Sequence, residues 1–405
     1  MARVWFLPPA CPLGHRLPVM FASVLRRAAV ARRPIHLVTA IDQCQSLVER
    51  LLSSGRPSIA IDCEGSQLGR FGQLSLVQLA TDEDIFLLDV HEGGPRLVEP
   101  LVPLLESREL VKVFHDCRED ASLLLHQHQA SLTAVFDTQV GHSLWLERNN
   151  LEHYQASLPE VMRTFLLSTY RSHRWDELER KPIALTKWQE RPLAPQALRY
   201  AIEGVAHLLP LQRALCRELG DPGGDLVMQR SARYVQYAHL NAAEFTSPDL
   251  SGLRPGAPLS AMLAARRPDA AYFKVNHGVL TGAVLDVQDL KDFQDLQPGD
   301  VADCRVKSLS ECQQFVHLQR EGHGELLFDF RKRQMRRLPS REDVDRAHPP
   351  RQSSLYGFGK SQGGEAPVKV ERASFREERP DVLYKVGKRG QVKIRSTGIK
   401  APKPK

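Results

Sequence analysis

Hydrophobic and polar positions change period several times along this chain. Between residues 58 and 90, three short apolar runs are separated by small polar turns: 58–64 (SIAIDCE), 72–81 (GQLSLVQLAT) and 84–90 (DIFLLDV). Runs of this length, bounded by Gly, Arg, Asp and Glu, read as strands, and their close spacing predicts an antiparallel meander. Helical spacing over 95–107 is followed by a strand-like 110–115, a helix-like 118–129, a strand-like 134–138 and a helix through 148. A long apolar stripe predicts one continuous helix over 194–219. A meander followed by alternating strands and helices predicts an α/β unit over 35–219, its sheet covered by helices.

The pattern then breaks. Residues 221–225 (DPGGD) and 247–259 are rich in Gly and Pro, so 220–259 is predicted as a linker, with 230–240 inside it as a packing helix or a contact surface. Residues 260–340 read as a small β-rich domain, in which Pro298-Gly299-Asp300 forms a turn ahead of an alternating strand, Val301 to Val306. Residues 341–405 are Pro-, Gly-, Ser- and Gln-rich at first and basic at the end, and are predicted to be a disordered basic tail.

Charge sharpens this division. The net charge is +7, but residues 1–41 hold six arginines and no acid, and 385–405 hold eight Lys/Arg and no acid. The middle of the chain is therefore acidic, and the basic character belongs to its ends. A polybasic tail holds phosphates by counterion release without reading sequence; simple solvation of the tail is the plain alternative. The first 34 residues, arginine-rich and acid-free with apolar residues between the arginines, have the pattern of an organelle transit peptide. The expected location is mitochondrial, with plastid and cytoplasm as alternatives. Seven cysteines show no CxxC spacing, which indicates neither a zinc site nor a disulfide framework. No apolar run approaches the roughly 20 residues of a spanning helix, so no membrane partner is expected.

Two acids interrupt the first strand. Asp62 and Glu64 are two apart, so both side chains leave one face. Paired carboxylates at a strand end suit a hard divalent ion, Mg²⁺ or Mn²⁺. A third acid, Asp120, opens the helix after the strand 110–115. Solvent-facing charge is the plain alternative for such a pair. Asp137 sits where an N-cap is needed, and His115 reads as a packed residue.

In order, DCEG (62–65), KVFHDCREDASLL (112–124), VFDTQ (135–139) and WQERPLAPQALRYAIEGVAHLLPL (188–211) resemble the DEDD superfamily of 3′–5′ exonucleases, in the ribonuclease D and Werner-exonuclease branch. The run DCEGSQLGR–GQLSLVQLAT is closest to the Egalitarian-like subgroup. The resemblance implies a ribonuclease-H-like mixed sheet flanked by helices. It also implies four carboxylates around two metal ions about 4 Å apart. Asp62 would bridge both ions, Glu64 would bind one and place the attacking water, and Asp120 would act through a bound water. Tyr200 matches the water-orienting tyrosine. Trp188, Arg191, Pro192 and Leu193 match a packing segment.

The chain departs from the pattern at the fourth acid, where Gly204 stands. Glu203 is adjacent, but successive helix positions point about 100° apart. Glycine inside a helix also costs about 1 kcal/mol relative to alanine, and nothing local in the sequence offsets that. One reading is a nuclease fold that has lost catalysis and binds nucleic acid, chiefly single-stranded or ribosomal RNA, in organellar RNA metabolism or a ribonucleoprotein with protein partners. A second is an active exonuclease releasing nucleoside monophosphates, with Glu203 or a water replacing the lost ligand. A third is a structural subunit of a ribosome-like assembly. Candidate phosphate contacts are Arg70, Arg118, Arg331, Lys332, Arg333, Lys388 and Arg389. The run after Pro298 resembles the later strands of an OB-fold, in which Phe273, His277, Phe315 and His317 are candidate base contacts; an unrelated β domain packed on the first is the alternative.

Overall fold

The computed structural model describes residues 33–166, 185–250, 252–278 and 280–321, with short strand segments at 328–329, 334–335, 382–386 and 392–396. The chain divides into a large unit, Met1–Leu355, and a small one, Tyr356–Lys405.

The large unit is built first on a six-stranded mixed sheet of order β1-β4-β3-β2-β5-β6. Its strands are β1 (Ile35–Val38), β2 (Ser58–Gly65), β3 (Leu74–Ala80), β4 (Ile85–Asp89), β5 (Val111–Phe114) and β6 (Val135–Asp137). The predicted meander is present: β2, β3 and β4 pair antiparallel, while β1 runs parallel to β4, and β5 and β6 run parallel outward from β2. All seven residues of β3 are buried, as a strand covered on both faces requires. Helices α1 (Ile41–Ser53), α2 (Arg118–His128), α3 (Thr138–Arg148) and α4 (Leu158–Phe165) follow in chain order. Asp137 caps α3 as expected, accepting the Gln139 N–H at 2.8 Å.

The predicted single helix over 194–219 is two helices, α5 (Pro195–Ala206) and α6 (Leu208–Leu219), broken at His207. Pro210 explains the break. It has no N–H for the Ala206 carbonyl, and its ring crowds that turn. The freed Ala206 carbonyl accepts instead from Arg33 Nη2 at 2.6 Å.

The stretch 220–259 is not a linker. Helix α7 (Gly223–Gln236) buries Val227 and Tyr234 in the first core, and Tyr237, Ala238 and Leu240 follow them there. Phe245 and Leu253 belong to the second core. Pro222, Gly223 and Gly224 read as breakers, but they sit at the helix start, where the first N–H groups lack intrahelical partners in any case.

The second core fills a closed five-stranded barrel, β7 (Pro258–Arg267), β8 (Ala270–Lys274), β9 (Thr281–Val284), β10 (Val301–Leu309) and β11 (Phe315–Arg320). The first three form a meander, β11 runs parallel to β9, and β10 closes antiparallel onto β7. A short helix, α8 (Val287–Lys291), joins β9 to β10. This is the strand order of an OB-type barrel. The turn at Pro298–Asp300 lies where the sequence put it, with Gly299 at φ 91°.

The expected transit peptide falls on residues outside the described set up to residue 32. Most of the expected disordered tail also lies outside it, but Val382–Val386 and Val392–Ser396 pair as an antiparallel hairpin.

Candidate active site

Strand β2 brings Asp62 and Glu64 to one face of the sheet. Directly opposite Asp62 on β3 is Gln78, fully buried, with neither amide atom hydrogen-bonded among the described residues. Opposed residues in an antiparallel pair share a face, so Gln78 joins the site. Nothing along the chain marks it, since a glutamine in an apolar strand reads as a solvent-facing position.

Beyond β5 the chain turns sharply into α2. Asp116 takes a left-handed backbone, φ 59°. The Asp137 carboxylate shapes the turn by accepting the Asp116 and Cys117 N–H groups at 3.0 and 2.7 Å. Arg118 then folds back onto Asp116, donating from Nε and Nη2 at 2.5 and 2.9 Å, with its guanidinium 4.4 Å over the Tyr234 ring. Burial works to raise the Asp116 pKa, but the Arg118 charge outweighs it and holds the group at about 2. Two residues further round the first turn, α2 delivers Asp120, buried, with Oδ1 lacking a hydrogen-bond partner among the described residues.

Helix α5 supplies the opposite wall. A Cβ added at Gly204 would lie 2.7 Å from Asp62 Oδ2. The fourth-acid position therefore faces Asp62, whose carboxylate would have to turn aside to admit a side chain there. Tyr200, one turn earlier, is 37% exposed and its ring lies 6.1 Å from that of Trp188. Burial, then the charges of Glu64 and Asp62, push its phenol pKa up. Glu203 is turned elsewhere. It is 1% exposed and accepts from Arg199 Nε at 3.2 Å. Burial raises its pKa to about 7 against the opposing pull of Arg199.

The three acids act on one another. Burial pushes Asp62 up to about 7. Burial, then Asp62 and Asp120, push Glu64 well up. Burial, then Asp62, do the same to Asp120. Buried like charges of this kind call for protons or a cation. An all-oxygen donor set with an orphaned Asp120 oxygen suits Mg²⁺ or Mn²⁺ in kind. Among the described residues, however, no three His, Cys, Asp or Glu side chains are gathered closely enough to hold an ion.

The structure thus brings Asp62, Glu64, Asp120 and Tyr200 together and leaves Glu203 outside. One predicted phosphate contact, Arg118, is corrected, and a second, Arg70, is engaged within the protein. Arg118 is fully buried in its pairing with Asp116. Arg70 is half-buried and donates to the Asn241 and Ala242 carbonyls at 3.0 and 3.2 Å. Arg331, Lys332, Arg333, Lys388 and Arg389 lie outside the described residues. In the barrel, Phe273 and His277 are buried, so of the four candidate base contacts only Phe315 and His317 reach the surface. His115 is packed as expected, its Nδ1 2.9 Å from Thr138 Oγ1 and its Nε2 3.1 Å from the Ala156 carbonyl. Arg191 is structural too, paired with Asp89 at 2.5 and 2.6 Å.

Residues 35–220 match the family of 3′-5′ exonuclease domains. Among curated relatives, the piRNA biogenesis protein EXD1 of Xenopus laevis is 30% identical over 235 residues, 53% of this chain and 49% of that protein. The Egalitarian protein homolog of Caenorhabditis elegans is 30% identical over 46% of this chain and 33% of that protein. Ribonuclease D of Nitrobacter hamburgensis is 29% identical over 48% of this chain and 47% of that protein. The chain spans about half or less of the length of these relatives. Residues 35–220 thus carry the pattern of a 3′-5′ exonuclease domain, and the likeness to these relatives rests on that part of the chain.

Proposed function

We propose that this protein binds nucleic acid, with RNA as its ligand, through a 3′–5′ exonuclease domain whose two-metal site is incomplete. One observation carries the reading: the fourth-acid position, Gly204, faces Asp62 without a side chain, while the neighbouring Glu203 is held by Arg199. Asp62, Glu64 and Asp120 match the ion-holding residues of the family pattern in kind, but as placed they are not gathered closely enough to hold a divalent ion. The chain's own contribution is positional. Tyr200 keeps its phenolic proton through the neutral range, as any tyrosine does, and burial only strengthens its hold, so it is a fixed donor for a phosphate oxygen or a water. Trp188, packed against it, limits the swing of that ring. The grouping of Tyr200 with Glu64 and Asp62 favours a second reading, an active exonuclease releasing nucleoside monophosphates. The arginine-rich, acid-free start of the chain and its basic end support a place in mitochondrial RNA metabolism or a ribonucleoprotein.

The test is degradation and retention of a 5′-labelled single-stranded RNA with Mn²⁺ or Mg²⁺, comparing wild type with Asp62→Ala, Glu203→Gln and Gly204→Asp. The expected result is an inert wild type that retains the strand, with nuclease activity appearing in Gly204→Asp. Shortening by wild type that disappears in Asp62→Ala would establish the active enzyme instead.

A further inference from the structure

Helix α2 presents Asp120 to the acid cluster and its neighbouring residues to the barrel. Glu119 Oε1 accepts from Tyr237 Oη at 2.9 Å and from Lys274 Nζ, at the end of β8, at 3.2 Å. Ser122 Oγ donates to Asn276 Oδ1 at 2.5 Å. Asn276 is fully buried with φ 57°. Its backbone N–H donates to Tyr237 Oη at 2.8 Å, and its Nδ2 donates to the Ala238 and Leu240 carbonyls at 2.9 and 2.8 Å. Every polar atom of that amide side chain is used.

The same barrel segment reaches the turn that follows Glu64. A Cβ at Gly278 would lie 3.2 Å from the Leu68 carbonyl oxygen. The Phe71 ring packs into the barrel core, 5.2 Å from the His277 ring. Residues 274–278 of the barrel therefore touch both chain segments that carry the acids. They do so where α2 most needs support. Its N-cap residue, Cys117, makes no side-chain capping bond. An uncapped first turn frays readily, and a helix of this length is marginal alone.

We propose that Lys274 and Asn276 are positioning residues for the acid cluster: the barrel takes the place of a helix cap and holds the first turn of α2, and with it Asp120, against β2. This rests on reading Asp62, Glu64 and Asp120 as the functional site, but its test needs neither metal nor RNA.

The test is amide hydrogen exchange on the full chain. Asn276→Gly keeps the left-handed backbone and deletes the amide. Asn241→Gly is the matched control: Asn241 is also buried at positive φ, and its amide bonds Ser260 and the Val275 carbonyl of the same barrel segment but no residue of α2. In Asn276→Gly, exchange of amides 121–125 should quicken about tenfold, as loss of such a bond implies. In Lys274→Gln the change should be about threefold. Both should leave α1 and β1 unchanged, and Asn241→Gly should leave 121–125 unchanged. Unaltered exchange at 121–125, or equal acceleration in Asn276→Gly and Asn241→Gly, would overturn the proposal. If Asn276→Gly does not fold, Lys274→Gln decides, since that side chain lies at the rim. A failure of the RNA-binding reading would appear in the RNA assay and leave the exchange pattern as it stands.

Discussion

Glu119 and Asp120 are neighbours on one helix, and they meet opposite surroundings. Glu119 turns toward the barrel, where Lys274 and Tyr237 donate to it. Asp120 turns toward Asp62 and Glu64, and no cation is among its charge neighbours. The barrel junction is a polar network whose asparagine amides are fully bonded, which rigidifies what it joins. The acid cluster is the reverse: Gln78 and Asp120 keep buried atoms without hydrogen bonds among the described residues. The junction has unmet atoms of its own among the described residues, Glu119 Oε2 and both His277 ring nitrogens, so the contrast lies in charge: Glu119 has Lys274 beside it, while the cluster gathers carboxylates that raise one another's pKa.

The largest expected effect lies at the Arg118–Asp116 pair. Arg118→Met leaves the part-buried, charged Asp116 without its guanidinium partner, with Gln155 still donating to it. Urea unfolding at pH 7 should then show a loss of about 3–5 kcal/mol, the usual cost of halving a buried pair. A loss below about 1 kcal/mol would mean that Asp116 is not relying on Arg118, and the contrast between the two regions would fail.

The cluster should respond with the opposite sign. The folded-state pKa of Asp62 is raised to about 7, so the folded protein holds that proton more tightly than the unfolded chain. The stability this contributes is fully present below the ordinary carboxylate pKa, about 4, and is lost as pH rises through about 7. In metal-free buffer, Asp62→Asn should flatten that decline and raise stability at pH 8 by on the order of 2 kcal/mol. A pH profile identical to wild type would remove Asp62 as a source of strain.

Tyr200→Phe should be the mildest. The ring stays against Trp188, so thermal unfolding should move by no more than about 0.5 kcal/mol in stability terms. RNA retention by filter binding should weaken nonetheless, because only the phenolic donor is lost. Retention equal to wild type would place the nucleic acid away from this wall.

Much of the architecture was legible along the chain. The meander, the alternation after it, the Asp137 cap and the turn before β10 follow from apolar period and turn residues, which act locally. Asp62, Glu64 and Asp120 were legible for a related reason: a charge inside an apolar strand, or in a first helical turn, stands out against its neighbours. The linker reading of 220–259 failed because Pro222, Gly223 and Gly224 mark a helix start as readily as a loop, and only packing against the first core distinguishes the two. The continuous helix over 194–219 failed at Pro210, whose effect falls on a carbonyl four residues back.

Sequence alone determined that a glycine stands at 204, between Glu203 and Val205 and four residues after Tyr200. Only the tertiary structure decided what surrounds that position, because side-chain direction on a packed helix depends on what it packs against. It turned Glu203 toward Arg199, set Gly204 against Asp62, buried Arg118, and tied Arg70 to the Asn241 and Ala242 carbonyls. It also joined Ser122 to Asn276 across 154 positions of chain. Such a pairing leaves no periodicity to read, since each residue is an ordinary polar residue until the fold removes water from both.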